Sequence, residues 1–237
     1  MKHARRRTPS NEIEEALVSA AFHLLETEGP EALSVRRVAA QAGVAPMGVY
    51  NHFEGGKNGV VDALFRIGFE ILTGELDEVV GVDDPVEAMR AGLLQYRNLA
   101  LDHPRTYEVM FLCAVPGFVP SERSHAVADE AFEVLVQGLA RGMRLGVFRE
   151  DDPREVAQQV WAAVHGAVAL EIAGIYLVDD MERTYRGLVD TIIRGISVAP
   201  DGADHADRPD GEAGSDAGAT PGRSGSRARG ARPARAR

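Results

Sequence analysis

The side chains between residues 34 and 57 carry chemistry suited to a nucleic-acid duplex. Asn51 can donate and accept in one plane, the pattern that pairs bidentately with the N6 and N7 edge of adenine. Ala45, Pro46 and Met47, just before it, can offer apolar contact to a thymine methyl. Arg36 and Arg37 stand where a helix would begin, so a phosphate there would meet guanidinium groups and free backbone N–H donors together. A second group lies in the remainder of the chain. Trp161 and His165, at i, i+4, share one helical face. Together with Met89, Tyr96, Met110, Phe111 and Phe132 they would wall a ligand pocket, though the same residue types at helical spacing also suit plain core packing. Beside that face Ala162, Gly166, Leu170 and Gly174 form a mostly small stripe suited to close helix approach. With Leu188 and Ile192 of the last helix it would make half of a four-helix seam between two copies of the chain.

The first group needs two short helices to hold it. Ser34 can cap a helix whose inner face carries Val38 and Ala42, with Ala39 beside them, and Gly43 supplies the left-handed residue that ends it. Val44 turns inward, and Pro46 suits the first turn of a second helix, where its missing N–H costs nothing. Val49 and Phe53 point back at the first helix and leave Pro46, Met47, Tyr50 and Asn51 facing out. Two short helices, a tight glycine turn and a shared apolar seam make a helix-turn-helix, although any helical hairpin can contain a glycine turn.

Ahead of this pair, Thr8-Pro9 reads as cap and first turn of a helix with Ile13, Leu17, Ala20 and Leu24 on its buried stripe, stopped at Gly29-Pro30. The arm MKHARRR before it is either a solvated tail or a basic segment reaching a minor groove. Behind the pair, a fourth helix carries Val61, Leu64, Phe65, Gly68, Leu72 and Leu76 on one face. Asp84-Pro85 opens a fifth, broken at His103-Pro104, and a short helix runs through Tyr107, Met110 and Phe111. Residues 121–145 read as a long helix bearing Ala128, Ala131, Phe132, Leu135, Leu139 and Met143. Asp152-Pro153 starts the helix of Trp161, and Asp179 or Asp180 caps a last one. The fold class expected is all-α, with about nine helices. Residues 200–237 lack Leu, Ile, Val, Phe, Tyr and Trp and read as a disordered tail. The expected domains are residues 1–57, 58–199 and 200–237.

From Ile13 to about Phe69 the chain resembles the DNA-binding domain of the TetR family of one-component bacterial repressors. Leu33-Ser34-Val35-Arg36-Arg37-Val38-Ala39, Ala42-Gly43-Val44 and Gly48-Val49-Tyr50-Asn51-His52-Phe53 carry the likeness, followed by a lysine that opens the next helix. Residues 160–174, VWAAVHGAVALEIAG, resemble the Trp-His-Gly helix of one subgroup of TetR effector domains, matched by Trp161, His165 and Gly166. The resemblance implies that Ser34, Tyr50, His52 and Lys57 contact phosphate. It also implies a homodimer on a near-palindromic double-stranded operator, released by a small-molecule effector whose identity the residues do not name. Two departures stand out. Ala45 replaces the Ser or Thr cap common in relatives, and Lys57 follows Phe53 by four residues where three is usual. The extra residue and Gly55-Gly56 should loosen that link.

Charge and composition narrow the alternatives. Residues 1–57 hold seven Lys/Arg against seven Asp/Glu, residues 58–199 twelve against twenty-three, and the tail seven against six. The net charge of −10 therefore belongs to the middle of the chain, an acidic body that disfavours non-specific contact with phosphate. Cys113 is the only cysteine and sits in an apolar run, so it reads as a small buried hydrophobe, and a cytoplasmic setting fits. Lys2, Arg5, Arg6 and Arg7 give way to polar residues, so no secretory signal is expected. Residues 160–178 are mostly apolar, but His165 and Glu171 make a helix buried between subunits the better reading than a membrane span. No phosphate loop, nucleophile elbow or HExxH occurs, and no cofactor is expected. His125 and Asp129 could begin a metal site, but no clustered ligand joins them. The expected function is a non-enzymatic, ligand-responsive transcriptional repressor. The rivals are a helical protein-interaction module and, further off, a small all-α enzyme.

Overall fold

Helices start where the sequence supplies a side-chain acceptor or a proline. In the computed structural model, which describes residues 10–175 and 177–199, the order is α1 (Ser10–Glu28), α2 (Val35–Gln41), α3 (Pro46–His52), α4 (Lys57–Val80), α5 (Pro85–Asp102), α6 (Pro104–Phe111), α7 (Glu122–Arg144), α8 (Pro153–Ile172) and α9 (Met181–Ile196). A 3-10 turn over Pro30–Ala32 follows α1. Ser34, Asp84, Ser121, Asp152 and Asp180 each accept a hydrogen bond from a backbone N–H in the first turn of α2, α5, α7, α8 and α9. Pro occupies the first turn of α3, α5, α6 and α8, where no N–H is needed. The basic arm, Thr8-Pro9 and the tail over 200–237 lie outside the described residues.

The fold is all-α. Among the described residues the one pairing of β type is an isolated antiparallel bridge between Phe148 and Ser197, which ties the α7–α8 turn to the chain leaving α9. Arg149 N–H donates to the Ile196 carbonyl at 2.8 Å and Val198 N–H to that of Val147 at 3.0 Å. Nothing periodic in the sequence marks this bridge. Gly142 makes room for it, since a Cβ there would overlap the buried Phe148 ring.

α4 is the spine, packing against α1, α5, α6 and α7. Val60, Val61 and Leu64 join Leu17, Leu25, Val38, Val49 and Phe53 in the core of the N-terminal helices. Farther along α4, Phe65, Phe69 and Leu72 are buried against the rest of the chain. Gly68 sits where α4 meets α6, because a Cβ would overlap the Met110 side chain there.

The single stripe expected on α7 divides into two. Ala131, Val136, Leu139 and Gly142 are fully buried, whereas Ala128, Phe132, Leu135 and Met143 are half-buried along another side. α9 divides likewise, with Tyr185, Val189 and Ile193 buried and Leu188, Ile192 and Ile196 half-buried. Cys113 corrects the sequence reading, because it is exposed. α6 ends at Phe111, and Cys113 takes a left-handed φ of 52° in the turn beyond it, so the apolar run leaves the core before reaching it.

Candidate nucleic-acid interface and effector cavity

α2 and α3 form the helix-turn-helix, with Gly43 at φ 69° in the turn and Val44 N–H bonded to the Ala39 carbonyl at 2.9 Å. Val38, Ala39 and Val49 close the seam at 1% exposure or less, so the outer face of α3 is set by subtraction. Pro46, Met47, Tyr50 and Asn51 are all exposed on it, Met47 at 65% and Tyr50 at 57%. Ala45 is the N-cap residue of α3 and makes no side-chain cap.

The positions assigned to phosphate divide in their placement. Ser34 Oγ already accepts from Arg37 N–H at 3.3 Å, which fixes the start of α2. Arg36 is exposed. Arg37 turns back to Glu28 at 2.5 Å, and that hydrogen bond holds the Glu28 carboxyl below its ordinary range. His52 is set farther in. Its side chain is 11% exposed and its Nδ1 lies 3.9 Å from the Glu14 carboxylate, because three residues after buried Val49 the helix face has turned toward α1.

The glycine pair before α4 does not loosen the link. Gly56 N–H donates to the Phe53 carbonyl at 3.0 Å, closing the turn. Gly56 has φ 60°, and a Cβ on it would stand 2.6 Å from the Tyr50 ring and 3.3 Å from the Val35 side chain, so only glycine fits. That close approach brings the start of α2 (Ser34-Val35), Tyr50 of α3 and Lys57 at the start of α4 to one place.

The second group frames a cavity of about 1000 Å³. Phe69, Leu72 and Leu76 of α4, Met89, Leu93 and Tyr96 of α5, Phe111 of α6, Phe132 and Leu135 of α7, and Trp161 of α8 line it. Thus Met89, Tyr96, Phe111, Phe132 and Trp161 meet around one space, and two of the seven expected wall residues do not. Met110 packs against Gly68 of α4 instead. His165 stands behind the wall, its Nδ1 2.9 Å from Tyr96 Oη and 2.7 Å from Tyr107 Oη. Trp161 Nε1–H donates to Tyr96 Oη at 3.3 Å. Burial lowers the pKa of His165, raises that of Tyr96 and pushes the Tyr107 hydroxyl up to about 12, so all three are neutral near pH 7.

Sequence reading missed Tyr107, since a helix break separates it from Tyr96 and no local spacing links the two. It also missed Glu26 and Asp62. Glu26 of α1 accepts from Thr106 N–H at 2.9 Å and from its hydroxyl in the first turn of α6. Asp62 of α4 accepts from Ser121 N–H and Oγ at 2.8 and 2.9 Å at the cap of α7.

The small stripe of α8 is uncovered within the chain. Ala162 is exposed, Leu170 is 49% exposed, and a Cβ on half-buried Gly166 would touch nothing within 4 Å. Gly174, expected on this stripe, is not part of it, because α8 ends at Ile172 and Gly174 takes a left-handed φ of 67° in the turn beyond. Leu188 and Ile192 on α9 are half-buried. Among the described residues no three metal-ligating side chains cluster, and no helix is long and apolar enough to cross a membrane.

Known proteins are similar to this chain in both regions. Residues 17–64 match the family described as bacterial regulatory proteins, tetR family, and residues 89–192 match a tetracyclin repressor-like C-terminal domain. An uncharacterised HTH-type transcriptional regulator of Mycobacterium tuberculosis is 26% identical over 195 residues, covering 79% of this chain and 83% of its own. The HTH-type transcriptional repressor KstR2 of Rhodococcus jostii is 26% identical over 181 residues, covering 73% and 87%. A solved structure of a protein of unknown function from Rhodococcus sp. RHA1 superposes with a TM-score of 0.71 at 22% identity, covering 83% of this chain and all of that one, a likeness of fold.

Proposed function

The chain belongs to the TetR family of transcriptional regulators, and from that premise we propose a ligand-responsive repressor that acts as a homodimer on a near-palindromic operator. Residues 1–57 read DNA, and residues 58–199 take the effector and pair the two copies. The observation that carries this reading is the double duty of α4. Its first turns bury Val60, Val61 and Leu64 behind the helix-turn-helix, and its later turns put Phe69, Leu72 and Leu76 on the cavity. A ligand that binds one arrangement of the cavity better than another shifts the populations of α4 positions. Two recognition helices must enter successive major grooves roughly 34–36 Å apart, so a small tilt of α4 in each copy removes the operator-competent spacing.

The uncovered stripe of Ala162, Gly166 and Leu170 supports the α8–α9 faces as the seam between copies. The Trp-His-Gly likeness of α8 rests on Trp161, His165 and Gly166. Trp161 lines the cavity, His165 braces it, and Gly166 lies on the uncovered face. Selection of bound sites from a random duplex pool tests the proposal. The expected product is a near-palindromic site bound with strong salt dependence, by two copies per site. Absence of salt-dependent DNA affinity overturns the reading and favours a helical interaction module.

A further inference from the structure

Resting on the effector reading of the cavity, we propose that it takes an uncharged apolar molecule bearing a hydrogen-bond acceptor such as a ketone oxygen, held by the Tyr96 hydroxyl. Among the buried residues that line the cavity, Tyr96 alone has a polar side chain. Its hydrogen bonds leave its own proton poorly placed. Trp161 Nε1–H donates to Tyr96 Oη at 3.3 Å, a long bond that uses a lone pair of that oxygen and not its proton. A neutral imidazole with its proton on Nε2 offers one lone pair at Nδ1, and two hydroxyls reach for it. Tyr107 is nearer, at 2.7 Å against 2.9 Å. The Tyr96 proton is then left with Tyr107 Oη at 3.3 Å, beyond the usual range for O–H···O. With the imidazole proton on Nδ1 instead, neither tyrosine can donate to the ring, and the Tyr96 proton is again free. An acceptor entering the cavity takes that proton without breaking the bonds behind it. Tyr107, 1% exposed and off the cavity wall, cannot serve in its place.

Charge around the cavity disfavours an anion. Asp77, Asp129, Glu130 and Glu155 line its margin. Three arginines also line it, against five carboxylates with Glu133 included: Arg141 donates to the Val82 and Asp83 carbonyls, Arg154 pairs with Glu133 while lying over the Phe132 ring, and Arg144 is exposed. Carboxylates therefore outnumber the guanidinium groups, and a carboxylate, phosphate or coenzyme A thioester would approach against a field of its own sign. The remaining wall, with Leu72, Met89 and Leu93, is apolar and accepts a chain or ring system.

Trp161 is the only tryptophan of the chain and lines the cavity, so its fluorescence reports occupancy. The full-length protein is titrated with 2-decanone, decanoate and decanoyl-CoA at about pH 8, where the acid is ionised. The ketone is expected to give a saturable change with a Kd about tenfold or more below those of both anions. Tyr96→Phe is expected to weaken 2-decanone about five- to tenfold, the loss of one hydrogen bond, and Tyr107→Phe to leave it within about twofold. Tighter binding of either anion, or an unchanged Kd in Tyr96→Phe, overturns the proposal and leaves the effector cavity standing. No fluorescence response to any of the three overturns both. The ranking of the probes on the unaltered protein does not depend on any variant folding.

Discussion

Asn51 and Tyr50 are neighbours on α3 with different proposed tasks. Asn51 is exposed with a planar amide that can read a base edge, whereas the exposed Tyr50 ring lies beside Gly56 and carries a hydroxyl that can donate to a phosphate oxygen. Asn51→Ala should therefore cost about 1–3 kcal/mol on the selected operator and relax the preference at one base pair. Tyr50→Phe should weaken selected and random duplexes alike. Titrations on both kinds of DNA decide it, and equal losses for Asn51→Ala would remove it from the readers. His165 carries a second prediction at this scale. Burial lowers its pKa in the folded chain below the ordinary value near 6.5, so the unfolded chain binds the extra proton first as pH falls. Stability should be undiminished above that value and decline below it, until the folded imidazole protonates as well. Melting curves between about pH 7.5 and 5.5 should show the unaltered protein losing ground relative to His165→Asn. Parallel curves for the two proteins would assign the acid sensitivity to other groups.

Elements are joined at the boundary of the DNA end and the body by carboxylates placed on helix N-termini. Glu26 of α1 satisfies the first turn of α6, and Asp62 of α4 satisfies the cap of α7. α6 and α7 contribute Phe111 and Phe132 to the cavity, so both joints lie between the cavity wall and the N-terminal helices. Glu26→Ala leaves the part-buried Thr106 donors without a partner and should cost about 1–2 kcal/mol in urea denaturation. Asp62→Ala, at an exposed joint, should cost about 1 kcal/mol or less. A Glu26→Ala protein as stable as the unaltered one would show that water replaces the carboxylate at no loss.

The whole molecule is expected to work as a pair of copies, and Gly166 is its most sensitive point. In the single chain a side chain there meets open space, so Gly166→Leu should leave the fold of each copy intact and be felt only across the seam. The variant should sediment as a monomer at concentrations where the unaltered protein is a dimer. Its operator affinity should fall although no DNA-facing residue has changed, because one half-site supplies only part of the contact energy. Trp161→Ala, on the cavity side of the same helix, should remain dimeric. A dimeric Gly166→Leu protein would place the seam on another face.

What the sequence determined by itself was the local grammar. Caps at Ser34, Asp84, Ser121, Asp152 and Asp180, prolines in first turns and Gly43 in the hairpin act over a few residues, so spacing along the chain exposes them. The outer face of α3 followed for the same reason, because burying Val49 and Phe53 leaves Met47, Tyr50 and Asn51 outside. Tertiary structure decided everything that depends on which helix meets which. The half-buried residues of α7 and α9 carry the same residue types as the buried ones, and periodicity cannot tell a core from a cavity wall or an uncovered face. Met110 and Phe111 are adjacent in sequence, yet one fills the notch at Gly68 and the other lines the cavity. Cys113 left the core because α6 stops at Phe111, and His52 turned inward because α1 lies beside it. The meeting of Tyr96, Tyr107, Trp161 and His165 joins three helices through hydroxyl and imidazole groups far apart in the chain. Only packing brings such groups within hydrogen-bonding distance, and there burial sets their protonation.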